Sequence, residues 1–355
     1  GEAARALGAD WRSLSWEGPK PAAGLPSAAR DARHALLADA ARQAGGRVIL
    51  MAHTADDIAE SDWMRAQGAT LGALRDWSPS PAWPEGRGVM LLRPLLTTSR
   101  ADLRGFLTAR NVAWLEDPAN ADTRFLRSRA RMVLQLEGSS CRSSSDFSQG
   151  TTSVAAVKAA PMAWSGLLLL PRAVPARILS AALLSVSGQT TPPRGARLAA
   201  LHARLSSGAD VTATLSGARL QTSGETLLIT REPGRTGLPR IALPQNAPAV
   251  WDNRFEVTAP GPGWRMGPLQ GRMAALAPED QAIVRSLPAS ARPALPVLFR
   301  DEDSRPVLAW RVAGTRCLVA DRLVAAVGGI GHEDQLTHSS GETPPADLFL
   351  DRRGG

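Results

Sequence analysis

The sequence has no tyrosine, only two lysines and only two cysteines among its 355 residues. Cys141 and Cys317 lie far apart and neither has a C-x-x-C neighbour, so they exclude a disulfide framework and a zinc finger and fit a reduced compartment. No apolar run approaches the roughly 20 residues that a membrane-spanning helix needs. No basic and then apolar leader opens the chain, so nothing favours secretion. We therefore expect a cytoplasmic protein that has no membrane partner.

The positive charge of the chain comes almost entirely from arginine. Lysine and arginine together number 41 against 33 acidic residues, which gives a net charge of +8, and 39 of these cations are arginines. The planar guanidinium binds phosphate and stacks on bases better than an ammonium does. This balance predicts an anionic partner, with nucleic acid first. A bias towards GC-rich codons would also enrich arginine, so composition alone leaves both explanations open.

The first 135 residues alternate between helix and strand patterns, which is typical of a doubly wound α/β domain with a parallel sheet. The strand pattern at 47–52 is apolar on both faces, so burial on both faces is expected. The predicted elements are helices over 27–43, 56–67 and 99–109, and strands over 47–52 and 89–92.

The later part of the chain has a different pattern. A serine-rich stretch over 138–152 indicates a linker, and a proline-rich break covers 233–248. Between and after them we predict helices over 174–187, 195–205 and 278–286, and strands over 211–215, 219–222 and 227–230. The chain is thus predicted to have an α/β domain over 1–135, a helical and β-hairpin domain over 136–235, a small α+β domain over 245–335, and a polar tail over 336–355.

The strongest candidate for chemistry is the segment His53-Thr54-Ala55-Asp56-Asp57-Ile58-Ala59-Glu60-Ser61. It follows a predicted strand and begins a helix, which is where ligands bind in open α/β sheets. Asp57 and Glu60 lie three residues apart, so their carboxylates share a helix face and could hold an ammonium or remove its proton. The alternative is that Asp56 caps the helix and Glu60 is a solvated surface acid. A metal site of His53, Asp56 and Asp57 is disfavoured, because no second histidine lies at ligand spacing.

A cluster of four arginines within eight residues is the second candidate. They follow an Asp117-Pro118-Ala119-Asn120 segment, and they are Arg124, Arg127, Arg129 and Arg131. Clustered guanidiniums suit contacts to phosphate. The alternative is a basic helix face that neighbouring acids balance.

Taken in chain order, these segments resemble the tRNA(Ile)-lysidine synthetases, which are N-type ATP pyrophosphatases of the PP-loop class. That family carries the motifs W-x-G-x-K-P, A-R-x-x-R, H-H-x-D-D-Q-x-E-T, R-P-L-L and W-x-x-D-P-x-N followed by arginines. Here they read Trp16 to Pro21, Ala29-Arg30 with Arg33-His34, His53 to Ser61, Arg93-Pro94-Leu95-Leu96, and Trp114 to Arg131. The resemblance covers residues 8–135, and the later segments resemble the family's tRNA-binding parts only loosely.

The resemblance implies a ligase that acts on the wobble cytidine of a tRNA(Ile) with a CAU anticodon. ATP, with Mg²⁺, adenylates the C2 oxygen of the base, and the side-chain amine of free lysine then displaces AMP. By their places in the motifs, Asp57 and Glu60 would hold and deprotonate lysine, and Arg33 would steady the base or the developing negative charge. His53 and Asp56 would lie at the edge of the ATP site, and the four clustered arginines would bind tRNA. The oligomeric state stays open, with a homodimer among the options.

The sequence also departs from the family pattern. The glycine-rich turn S-G-G-x-D-S, whose amides would cradle pyrophosphate, does not occur in it, and Thr54, Ile58, Ser61 and Ser128 replace family residues. The expectation is an N-terminally truncated member whose 355 residues by themselves bind ATP weakly and make no lysidine. One alternative is a non-catalytic tRNA-binding protein that has lost the ATP loop. A sulfur-inserting tRNA enzyme of the same superfamily is less favoured, because the two cysteines are isolated.

Overall fold

The computed structural model describes residues 1–69, 74, 76–116, 126–136, 163–300 and 304–327. Contacts divide the chain into two units, Gly1–Thr151 and Thr152–Gly355. No helix in these ranges is long and apolar enough to cross a membrane. The predicted serine-rich linker and the predicted polar tail lie outside the described residues.

The first unit alternates helices and short strands, as predicted. The helices expected over 27–43, 56–67 and 99–109 are confirmed to within two residues at each end, and both expected strands are present but shorter. The elements in the described part of this unit are α1 (Glu2–Ala6), α2 (Leu25–Gln43), β1 (Val48–Leu50), α3 (Ala55–Ala66), β2 (Trp77–Pro79), β3 (Met90–Leu92), α4 (Arg100–Thr108) and α5 (Leu126–Leu136).

The sheet of the first unit is mixed, with the strand order β1-β3-β2. β1 and β3 are parallel, with Ile49 opposite Leu91, whereas β2 pairs with β3 in the antiparallel sense. The expectation of a purely parallel sheet is therefore wrong for the described strands. The sequence signal missed β2 because its three residues, Trp77-Ser78-Pro79, are too few to show an alternation.

The expected burial of the first strand on both faces is also wrong. Val48 is 42% exposed and Leu50 is 67% exposed, although β3 in the middle of the sheet has buried Met90 and Leu91. β1 stands at one end of the strand order, and its described partner is β3 alone. Because an end strand has a neighbour on one side only, an apolar sequence by itself does not ensure its burial.

The second unit is built of antiparallel sheets and helices. Its helices expected over 174–187, 195–205 and 278–286 are confirmed within two residues. Its described elements are β4 (Leu168–Pro171), α6 (Ala176–Ser187), α7 (Ala196–Ser206), β5 (Thr212–Leu215), β6 (Ala218–Ser223), β7 (Thr226–Arg231), β8 (Ile241–Ala242), β9 (Pro248–Trp251), β10 (Phe255–Thr258), β11 (Arg265–Pro268), α8 (Pro278–Ser286), β12 (Pro296–Phe299), β13 (Val307–Leu308), α9 (Ala309–Val312), β14 (Gly314–Cys317) and α10 (Val319–Ala326).

The three strands expected over 211–230 form the sheet β4-β7-β6-β5 together with β4, which was not predicted. β5 and β6 are joined by Ser216 and Gly217, and both have positive φ angles, 52° and 80°. Two positive φ angles are typical of the tight turns that match the twist of a hairpin. A side chain at Gly217 would also meet the guanidinium of Arg231, because an added Cβ would lie 2.6 Å from Nη1.

The segments on either side of the proline-rich break share a hydrophobic core in the second unit. Val319 and Leu323 of α10 lie in one buried cluster with Leu179 and Leu183 of α6. The other two sheets of this unit have the orders β14-β10-β9 and β13-β12-β11-β8. The domain border expected between 235 and 245 remains a prediction. The segments before and after it pack together within the second unit.

Candidate active site

The start of α3 is fixed by a reciprocal cap between Thr54 and Asp57. Thr54 is the N-cap residue, and Oδ2 of Asp57 accepts hydrogen bonds from the Thr54 backbone N at 2.7 Å and from its hydroxyl at 3.0 Å. A carboxylate in the first turn also interacts favourably with the helix dipole. One oxygen of Asp57 is therefore used by the helix itself, and Oδ1 is left for partners on other segments.

Asp56 binds a neighbouring helix. Its Oδ2 accepts a hydrogen bond from the backbone N of Arg100 at 2.7 Å, and Arg100 is the first residue of α4. The alternative in which Asp56 caps its own helix is therefore wrong, since Thr54 is the N-cap of α3. The bond satisfies one of the unpaired N–H groups that begin every helix, and it joins the segments that follow β1 and β3.

Glu60 is the centre of a buried ion cluster. The residue is 1% exposed, and three guanidiniums surround it. Its Oε1 accepts from Nε of Arg131 at 2.8 Å and from Nη2 of Arg100 at 3.3 Å, and its Oε2 accepts from Nε of Arg127 at 2.9 Å. The alternative of a solvated surface acid is thus wrong for Glu60. A buried carboxylate is stable only with such partners.

Arg127 connects the two carboxylates. Besides its bond to Glu60, its Nη2 donates to Oδ1 of Asp57 at 2.9 Å. Its side chain is more exposed than those of Arg100 and Arg131. The hydrogen bond to Glu60 raises the pKa of Arg131, which keeps that side chain charged.

The four clustered arginines occupy different places. Arg127 and Arg131 bind the acids of α3, whereas Arg129 is exposed on the same helix, α5. Arg124 lies outside the described residues. The expectation that all four bind tRNA remains a prediction, and two of them already have carboxylate partners.

Arg100 is a member of the site that sequence reasoning missed. The sequence contained a signal for Arg100, because this residue comes just after Ser99, the N-cap of the helix that follows β3. Since β1 and β3 are parallel neighbours, the segments after them meet at one edge of the sheet. The same rule brings Arg93, directly after β3, close to His53, the third residue after β1, and the charge of Arg93 acts on the pKa of His53.

His53 lies among arginine side chains near the acids of α3. Burial lowers the pKa of His53, and the charges of Arg93, Arg127 and Arg30 lower it further, against the opposing effect of Asp57. The Nδ1 atom of His53 is buried, and no described residue provides it with a hydrogen-bond partner. The lowered pKa favours the neutral imidazole.

His34 and Arg93 lie in the same group of side chains. His34 is buried in α2, and its pKa is lowered by burial and then by Arg30, Arg93 and His53. Arg93 is buried as well and donates from Nη1 to the Ser78 hydroxyl at 3.0 Å, and burial and the charge of Arg30 lower its pKa. These cations favour an anion at the same edge of the sheet.

The predicted catalytic residue Arg33 is exposed on α2. Its charge contributes to the lowered pKa of His34, after the larger effects of burial and of Arg30. Among the described residues, no three His, Cys, Asp or Glu side chains form a group that could hold a metal ion.

Most of the first unit matches a known protein family. A family described as the PP-loop domain matches residues 9–137, which contain both clusters, and this class uses ATP. The chain is 44% identical over 348 residues to a tRNA(Ile)-lysidine synthase of Caulobacter vibrioides, covering 93% of this chain and 81% of that protein. A tRNA(Ile)-lysidine synthase of Mesorhizobium japonicum is 35% identical over 269 residues, covering 70% and 58%. The chain belongs to the tRNA(Ile)-lysidine synthase family.

Proposed function

We propose that this chain is a carbon–nitrogen ligase that converts the wobble cytidine of a tRNA(Ile) with a CAU anticodon to lysidine, with Asp57 as the carboxylate that receives free lysine. The C2 oxygen of cytidine attacks ATP and takes up AMP while pyrophosphate leaves. The lysine side-chain amine then attacks C2, and AMP departs with the oxygen. The ammonium must lose a proton before that attack, so the site needs an anion that binds it and a group that accepts the proton.

The observation that carries this proposal is the difference between the two carboxylates. Glu60 is enclosed by three arginines, whereas, among the described residues, Oδ1 of Asp57 is hydrogen-bonded to Arg127 alone at 2.9 Å, with Arg100 farther away at 4.0 Å. The side chain of Arg127 is 41% exposed. A lysine ammonium that replaces Arg127 at Asp57 would keep the charge balance of the cluster. We therefore assign substrate binding to Asp57 and the holding of the arginines to Glu60.

The neighbouring groups support the other half of the reaction. His53 lies within electrostatic reach of Asp57, and we assign the proton that the ammonium loses to the Asp57 carboxylate that holds it. Arg30 and Arg93 are positioned to attract the phosphates of ATP and the departing AMP, with Arg33 on the same helix as Arg30. Asp56 fixes α4 beside this edge. The assignment of Asp57 agrees with the role that the family resemblance implies for it, and a place for His53 and Asp56 at the edge of the ATP site stays a prediction.

Mg²⁺ would accompany ATP, since this ion is usually held by substrate phosphates with one or two carboxylates, and it would neutralise phosphate charge. A cytoplasmic location is part of the same proposal, since tRNA, ATP and lysine meet there. A homodimer stays a prediction from the family resemblance.

The test is Asp57→Asn, introduced at the native locus so that the protein is assayed as the cell makes it. Lysidine in tRNA(Ile) is measured by mass spectrometry of nucleosides, and the purified protein is assayed for lysine transfer and for adenylation of tRNA separately. We expect lysine transfer to fall by about 10²- to 10⁴-fold, the usual contribution of a positioned proton-transfer group, with a smaller effect on adenylation.

Asp62→Asn is the matched control, because Asp62 lies on the same helix and its partner is the exposed Arg65. It should retain parental transfer. Near-parental lysine transfer by Asp57→Asn would show that Asp57 only caps α3. Equal losses of adenylation and transfer would move Asp57 from lysine binding to the ATP half of the site.

A further inference from the structure

Exposed aromatic rings lie on α4 and on the segment that follows it. None of the α4 residues is buried, and only Arg100, Leu103 and Leu107 are partly buried. Phe106 is 53% exposed and Trp114, six residues beyond the end of the helix, is 42% exposed. Large aromatic rings at such exposure are typical of binding surfaces.

Each of these rings is accompanied by an arginine. The guanidinium carbon of Arg110 lies 3.6 Å from the centre of the Phe106 ring, and that of Arg104 lies 5.7 Å from the centre of the Trp114 ring. Glu116 accepts a hydrogen bond from the Trp114 indole N–H at 3.0 Å and one from Arg104. The indole is thus held in place while part of it remains exposed. We call Arg104, Phe106, Arg110 and Trp114 the α4 aromatic surface.

The helix that carries Arg104 and Phe106 of the α4 aromatic surface begins next to the acids of α3. Arg100, the first residue of α4, is bound to Asp56 through its backbone and to Glu60 through its guanidinium. A helix of nine residues is only about 13 Å long, so Arg104 and Phe106 lie within that distance of Arg100 along the helix.

We propose that the α4 aromatic surface stacks on unpaired nucleobases of the tRNA, next to the cytidine that is modified. This inference rests on the proposed function and adds the contact that holds the substrate loop. Exposed rings bind single-stranded RNA by stacking, and arginine planes stack on bases and neutralise phosphates. The net charge of +8 favours an RNA over an apolar protein partner.

The test uses the full 355-residue chain and two RNA probes. One is a hairpin with the anticodon-loop sequence of tRNA(Ile), and the other is a fully paired RNA with the same number of phosphates. Phe106→Leu removes the ring but keeps an apolar side chain, and Trp114→Leu does the same at the second position. We expect each to weaken hairpin binding by about five- to hundredfold, as loss of one base stack does, and to leave duplex binding unchanged.

Leu115→Ala is the matched control, since Leu115 is 99% exposed, lies beside Trp114 and has no ring. Its hairpin affinity should equal that of the parent. Unchanged hairpin affinity in both leucine variants would overturn the inference, and so would equal losses for hairpin and duplex. Self-association that Phe106→Leu abolishes without an effect on RNA would identify a protein interface and overturn it too.

The two proposals fail in different ways. If the protein forms lysidine and the leucine variants leave the KM for tRNA unchanged, only the stacking inference is wrong. If the leucine variants lose hairpin affinity but the protein at its native locus makes no lysidine, the reaction assignment is wrong and the RNA surface stands.

Discussion

Arg131 donates from Nε to Oε1 of Glu60 at 2.8 Å and so attaches α5 to α3 across 71 positions of sequence. The carboxylate at the centre is buried, and the cation is mostly buried as well. Such a pair is weak as a source of net stability but costly to break from one side, because the remaining charge stays buried. The stability of the first unit should therefore depend on this arginine.

We expect Arg131→Ala to lower the free energy of unfolding of the first unit by about 1–3 kcal/mol, the range for hydrogen bonds to charged groups. Arg127 and Arg100 still contact Glu60, which limits the loss. Arg129→Ala, on the exposed side of α5, should change it by less than about 0.5 kcal/mol. Urea unfolding measures the free energy of unfolding of both variants, and hydrogen exchange in α3 and α5 shows whether the change lies in these helices. Equal effects of the two variants would contradict the cluster's structural role.

Arg129 is expected to be a phosphate contact, because it is exposed and belongs to the arginine-rich segment. Arg129→Ala should reduce the slope of log K against log salt for tRNA binding by about 0.7–0.9, the value for one phosphate. Arg131→Ala should leave that slope unchanged, since Glu60 already binds its guanidinium. Titrations with tRNA at several salt concentrations test this. A slope altered only by Arg131→Ala would reverse the assignment.

The stability of the first unit should depend on pH through His34. Burial first, and then Arg30, Arg93 and His53, lower the pKa of His34 in the folded protein. The unfolded chain therefore binds a proton at higher pH than the folded one, so stability falls as pH decreases from about 6.5 through the folded pKa. We expect His34→Gln to reduce the loss of unfolding free energy between about pH 7 and pH 5. Parallel pH profiles of parent and variant would disprove it.

Cys317 should react slowly with alkylating reagents in the folded protein. Although part of the residue is exposed, burial raises the pKa of the thiol to about 11 from an ordinary value of 9.0. The thiolate, the reactive form, is then about a hundredfold less populated at neutral pH. Iodoacetamide labelling of native and denatured protein, read by peptide mass spectrometry, compares the two. Fast native labelling would restore Cys317 as a candidate nucleophile for sulfur chemistry.

Sequence patterns predicted most of the helices because each depends on neighbouring residues. α8 begins at a proline in its first turn and agrees with its predicted range, 278–286. The β5–β6 hairpin was signalled by Gly217, whose backbone conformation few other residues adopt. The short strand β2 carries no such local signal. It is defined by its antiparallel pairing with β3, which the local sequence does not show.

The sequence by itself determined which residues carry the family motifs, since His53 to Ser61 and the arginine-rich segment are continuous stretches whose order can be read directly. Only the tertiary structure decided how these residues are used. Glu60 is buried by arginines that follow it by 40, 67 and 71 positions, and Asp56 reaches across 44 positions to begin α4. A carboxylate's solvation and partners depend on which distant segments the fold brings to it, and a one-dimensional pattern holds no distances between them.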